Sequence, residues 1–257
     1  MKTYFKYKAY IVFFFAIIIC GTNACKKDKT ETYNADYGYN FYPDDSGLFV
    51  IYQVDSIIYD DFNRNVRYST IYLKEEIGEQ FLDNLGRKAK RIIRSYSNVD
   101  STIQKWETNN VYYMVRNTLV AERVEENLRY IKLVFPNENN INWLGHKYLI
   151  TPPPFIIDTT NYLLTDWKYT ISRKDREYLI NSKRFDSTLI VTQIQDSSAI
   201  FKTFAKEVYA KNIGLIYKEN WIVTSQDTFK IRNQYPWQDR ADKGFIVKQY
   251  AIDYGKE

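Results

Sequence analysis

Two cysteines, one histidine and a few adjacent acids are the residues of this 257-residue chain whose types could do chemistry. Cys20 and Cys25 stand five positions apart and are the only cysteines. His146 is the only histidine, so a histidine-dependent triad or zinc site would have to be built on that residue without a second histidine beside it. Its setting, NWLGHKY, places it beside a turn, where a surface or loop histidine is expected. Neighbouring acids occur at Asp44-Asp45, Asp60-Asp61, Glu75-Glu76 and Glu125-Glu126. On a strand, neighbours point to opposite faces, so such a pair cannot supply the facing carboxylates of glycoside hydrolysis. Glycines are scattered, with no two closer than Gly78 and Gly86, which excludes the Gly-rich loops that cradle phosphates. No motif for catalysis, cofactor or metal emerges.

Five tryptophans, Trp106, Trp143, Trp167, Trp221 and Trp237, leave a binding role open. A sugar-binding surface needs two or three of them coplanar on one face, whereas an ordinary β protein buries them. Trp221 shares a strand face with Leu215, Tyr217 and Glu219 in GLIYKENW, so Trp221, Tyr217 and Trp143 are the candidate ligand-binding residues. The tyrosine and phenylalanine surplus, 24 and 15 residues, fits stacking platforms and equally fits a coding bias that also favours Lys, Asn and Ile.

The elements that position these residues begin with a leader. Lys2, Lys6 and Lys8 form a basic front, and the apolar run from Ala9 to Ile19 is too short for a bilayer core, which needs about 20 residues. Small residues lead to Cys25 in TNAC, and the polar stretch KKDKTET follows. This resembles the lipobox of bacterial lipoproteins, whose signal is cut before a cysteine that receives lipid. The resemblance implies lipidation at Cys25, with palmitate among the acyl groups. Cys20, behind the bulky Ile19, is the rival. Thr22 stands where most such boxes carry Leu. Taking the three leader lysines from the 36 basic residues leaves 33 against 31 acidic, so the mature chain is almost neutral. No nucleic-acid footprint is present in that balance.

Residues 1–24 therefore read as a signal peptide, 25–47 as a flexible tether ending in the turn formers PDDSG, and 48–257 as one domain. From Leu48 the apolar period is two. TIYL and RIIRSY flank the turn Asp83-Asn84-Leu85-Gly86 and predict a hairpin, although Ile77, Phe81 and Leu85 also fall at helical spacing. NNVYYMVRNTLV, LRYIKLVF, WKYTIS, STLIVTQIQ, AIFKTFAKEVYA, IGLIYKENWIV, DTFKIRN and GFIVKQYAI continue the series. Their short turns predict a mainly β domain, one curved antiparallel sheet like a barrel or half-barrel, with few or no helices. Residues 137 to 161, with Pro152 to Pro154, are the main interruption.

EVYAKNIGLIYKE, residues 207 to 219, and the closing KGFIVKQYAIDYGK resemble exported lipoproteins of the Bacteroidota, mostly of unknown function. The resemblance implies location and class but carries no catalytic residue. The expectation is a non-enzymatic protein without a cofactor, held to the cell envelope, at the outer membrane, by its N-terminal lipid. Its partner would be an envelope protein or a small apolar ligand. A glycan-binding accessory of carbohydrate uptake is the alternative.

Overall fold

A computed structural model describes residues 36–97, 106–149 and 167–257. Among the described residues, twelve strands make one antiparallel sheet: β1 (Leu48–Asp60), β2 (Asn65–Leu82), β3 (Lys88–Ser97), β4 (Glu107–Arg116), β5 (Val120–Glu125) and β6 (Leu128–Val134) come first. β7 (Asn142–Leu144), β8 (Lys168–Ile180), β9 (Lys183–Ser197), β10 (Phe201–Ala210), β11 (Gly214–Thr224) and β12 (Lys243–Lys256) complete it. The spatial order is β6-β5-β4-β3-β2-β1-β12-β11-β10-β9-β8-β7. The first and last strands therefore pair in the middle, Leu48 opposite Lys256 and Tyr59 opposite Gly244.

The predicted mainly β class with few helices is what the structure shows. β2 and β3 form the expected hairpin, closed by Asp83, whose carboxylate accepts from the Leu85 and Arg87 amides. The turn of the β10–β11 hairpin places Asn212 at φ 63° and Gly214 at φ 93°, a left-handed backbone that Asn and Gly adopt readily. Two strands were not expected: β5, which begins at the last residue of NNVYYMVRNTLV, and β7, which lies in the segment read as the interruption. One expected strand is corrected: DTFKIRN forms the short helix α1 (Thr228–Arg232), because the Asp227 carboxylate accepts from the Phe229 and Lys230 amides. A second helix, α2 (Trp237–Arg240), follows it in the β11–β12 connection. The packed unit also reaches back to Asp36. Phe41 and Tyr42, inside the stretch expected to be tether, are buried in the main core, and Arg116 donates to the Tyr39 and Tyr42 carbonyls.

Register shifts interrupt several strand pairs, among them β1–β12, β9–β10, β10–β11 and β8–β9. Such bulges bend strands and strengthen twist, which lets a wide sheet curl. The sheet edges, β6 and β7, consequently meet. The Ile131 amide donates to the Gly145 carbonyl at 2.8 Å, and Trp143 Nε1 donates to the Ile131 carbonyl at 2.8 Å. The result is a nearly closed barrel. Leu133, Ile171, Leu189, Val191 and Ala205, fully buried, pack with Phe41 inside it. Cys20, Cys25 and Pro152 to Pro154 lie outside the described residues.

Candidate functional site

Directly opposed residues in an antiparallel ladder share a face, so register traces the concave wall. Glu75 lies opposite Arg94 on one side and Val50 on the other, Arg94 opposite Asn110, Arg123 opposite Tyr130, and Glu207 opposite Lys218. Closure then brings groups from distant strands together. Arg123 makes two hydrogen bonds to Glu75, of 2.8 and 2.6 Å, and its Nε stands 2.6 Å from Glu125. Arg94 Nε lies 2.9 Å from Glu75. Both guanidiniums stand over the Tyr112 ring, at 4.6 and 5.6 Å from its centroid. Lys132 donates to Glu207, and the Tyr209 hydroxyl donates to the other oxygen of the same carboxylate.

Burial pushes the Glu207 carboxyl up, but Lys132, Lys218 and the hydrogen bonds outweigh it and leave its pKa below the ordinary value. Lys132 is lowered by burial and by Lys218, against the pull of Glu207. Glu75 is likewise lowered: Arg123 and Arg94 overcome its burial. For Glu125, burial is overcome by Arg123, Lys218 and Lys132, and its pKa falls from 4.5 to about 2. These carboxylates are thus ionised at neutral pH, in a wall that is ionic as well as apolar.

A pH dependence follows with a definite sign. A carboxyl whose pKa is lower folded than unfolded contributes stability above the unfolded value and loses it as pH falls through the folded one. Stability measured by urea titration should fall between about pH 5 and pH 2, with Glu125 contributing on the order of 2 kcal/mol given its partial solvent contact. Glu125→Gln should flatten that slope. A native protein equally stable at both ends would contradict the assignment.

The convex wall carries the second cluster, and the Trp221 and Tyr217 expected to bind ligand belong to it. Both donate to one carboxylate, Tyr217 Oη to Glu219 at 3.0 Å and Trp221 Nε1 to Glu219 at 2.8 Å. Lys206 and Lys248 approach Glu219 to 3.7 and 3.8 Å. The Lys202 ammonium sits 3.9 Å above the Trp221 ring. Burial, helped by Lys248 and Arg240, lowers the Lys202 pKa against the attraction of Glu219. Beside this hub opens a cleft of about 300 Å³, bounded by Phe204, Lys202, Glu219, Trp237 and the β9 end at Gln195 and Asp196. Trp221 itself is buried, with Tyr59, Val223 and Ile246 around it. What meets the cleft is therefore Phe204, Trp237, an ammonium and a carboxylate, a set suited to gripping a polar ring or a peptide.

Trp143 does not join this cluster. It stands at the seam, its ring edge-on to Tyr169 at 5.7 Å. Trp167 is buried nearby and stacks on His146 at 4.9 Å. His146 corrects the sequence expectation in one respect: it lies in a turn but is buried, sharing a 2.8 Å hydrogen bond with the Tyr169 hydroxyl. Among the described residues, no three His, Cys, Asp or Glu side chains are arranged to hold a metal ion. No described helix is long and apolar enough to cross a membrane.

Sequence reasoning found Trp221, Tyr217 and Glu219 because they alternate on one strand. It missed Lys202, Phe204 and Trp237, which other elements supply. The available signal was FKTF in β10, whose Lys202 and Phe204 alternate as GLIYKENW does.

No protein-family model matches the chain, and no curated protein matches it. Solved structures similar to it include one named as an exported protein with a YmcC-like fold from Bacteroides fragilis, 10% identical with TM-score 0.37, covering 86% of this chain and 100% of that one. A lipoprotein from Parabacteroides distasonis is 11% identical with TM-score 0.31, over 84% of this chain and 98% of that one. An outer membrane lipoprotein-sorting protein domain from Vibrio parahaemolyticus is 9% identical with TM-score 0.22, over 83% and 87%. At these identities and TM-scores the likeness carries no functional assignment to this chain.

Proposed function

We propose that the protein is a lipid-anchored lipoprotein of the cell envelope, held at the outer membrane through Cys25, which acts by binding another envelope protein and not by catalysis. One observation carries the binding reading. The β1–β2 hairpin leaves Phe62 in its turn 91% exposed and Tyr68, further along β2, 74% exposed, with Val66 on the same strand face as Tyr68. Two aromatic side chains this exposed on one hairpin are costly to hydrate and fit a surface that another protein covers. The other form of the reading, an apolar ligand inside the barrel, is less favoured because the concave wall carries Glu75, Arg94, Arg123 and Glu207.

The anchor has a direct test: Cys25→Ser should abolish palmitate labelling, and labelling that persists would overturn the assignment of the lipid to Cys25. A photo-crosslinking residue at position 62 should give a discrete protein adduct in cells, while one at exposed Glu177 should not. No adduct from position 62, together with a copurified lipid in native mass spectrometry, would favour the interior ligand instead.

The cleft beside Trp221 supports a second reading, glycan binding, because Phe204 and Trp237 line it together with charged groups. On a glycan array, Trp237→Ala and Phe204→Ala should lose binding while Trp143→Ala, at the seam, should keep it. A native protein that binds no glycan ends this alternative.

A further inference from the structure

Because every strand pair is antiparallel, the C-terminal ends of β2, β4, β8, β10 and β12 lie at one end of the barrel. Asp36, where the described chain begins, lies at that end too. The Asn137 amide donates to the Tyr37 carbonyl, and Lys211, in the β10–β11 turn, pairs with Asp36 at 2.9 Å. Tyr39 Oη donates to the Thr118 carbonyl in the β4–β5 turn.

The turns of this end carry leucines where turn chemistry asks for polar residues. Leu85, in the β2–β3 turn, is 66% exposed, and Leu119, in the β4–β5 turn, is 68% exposed. Leu82 and Leu179, at the ends of β2 and β8, are exposed in the same way. Lys88 follows Leu85 closely and is exposed, a cation placed to meet headgroup phosphates while the leucines go deeper.

We infer that these leucine-tipped turns seat the barrel on the membrane, with Leu85 and Leu119 in the boundary between headgroups and acyl chains. The inference rests on the lipid anchor at Cys25 and adds how the domain is oriented on it. Eleven residue steps separate Cys25 from Asp36. That length spans at most about 40 Å fully extended, and about 18 Å as a coil. β1 alone, with 13 residues, is about 43 Å along the strand, or about 33 Å of barrel height at a strand tilt of about 40°. For the Phe62 end to meet the same surface, the connecting chain would have to be drawn out well beyond its coil length, so the Asp36 end is the one held against the lipid.

The test uses the full chain, purified with its own N-terminus and reconstituted into phosphatidylethanolamine and phosphatidylglycerol vesicles. Leu85→Cys, Leu119→Cys and Phe62→Cys are labelled singly with an environment-sensitive fluorophore, all three positions being exposed. Labels at 85 and 119 should shift to the blue and lose most of their emission to lipids carrying a shallow nitroxide. The label at 62 should do neither. If the protein floats with the vesicles but labels at 85 and 119 stay unquenched, or the label at 62 is quenched as strongly, the orientation is overturned while the anchor stands; unquenched tips that acquire a protein crosslink would assign them to a protein partner. A protein that does not float overturns both.

Discussion

Lys132→Met is expected to cost about 3 kcal/mol in urea denaturation at neutral pH, because it leaves the buried Glu207 carboxylate without its closest cation. Both side chains are buried, and Glu207 keeps only the Tyr209 hydroxyl and the more distant Lys218 charge. The loss should therefore shrink as pH is lowered. With Lys132 gone, burial raises the Glu207 pKa above its unfolded value, and a carboxyl shifted that way stabilises the folded state when protonated. Adding Glu207→Gln should recover most of the loss, since the amide still accepts from Tyr209 and no longer buries a charge. Equal destabilisation at acidic and neutral pH, or no recovery in the double variant, would show that Lys132 acts through packing and not through the pair.

A comparable effect should follow from adding side-chain atoms at the seam. The backbone of Gly145 is one any residue can adopt, but a Cβ there would lie 2.5 Å from the ring of Tyr169. Tyr169 cannot retreat, since it is buried, tied to His146 and packed edge-on to Trp143. Gly145→Ala should destabilise by about 2 kcal/mol and Gly145→Val by more, through overpacking. The Ile131 amide, which donates to the Gly145 carbonyl, should exchange faster with solvent as the seam opens. In the Tyr169→Leu background the cost of Gly145→Ala should fall, a coupling that a double-mutant cycle reads. Alanine tolerated at 145 with unchanged exchange at Ile131 would mean the edges are not held by this contact.

The two clusters differ in how far the sequence announced them. Trp221, Tyr217 and Glu219 alternate along one strand, so the period of two alone puts them on a shared face. Lys202 and Phe204 meet them only because β10 pairs with β11 in a register that sets Phe204 opposite Trp221. The interior ion pairs were not legible at all. Glu75 and Arg123 are 48 positions apart, and Lys132 and Glu207 are 75 apart. Along the chain, Glu75-Glu76 is an adjacent acid pair. Folded, Glu75 meets Arg94 and Arg123 on the concave wall while Glu76 pairs with Lys74.

Local chemistry determined most of the strands, β5 and β7 excepted, through their period of two, and several of the turns through left-handed residues such as Gly86, Asn212 and Gly214. The hairpins at Asp83 to Gly86 and Lys211 to Gly214 follow from three or four consecutive residues. DTFKIRN escaped because its alternating apolar residues fit a short strand as well as a capped turn of helix, and the Asp227 hydrogen bonds settle it. Tertiary structure alone decided that the edges β6 and β7 meet, that His146 is buried, and which charges face one another. Those outcomes depend on the curl of the whole sheet, a sum of twist and bulges over twelve strands that no single stretch of sequence encodes.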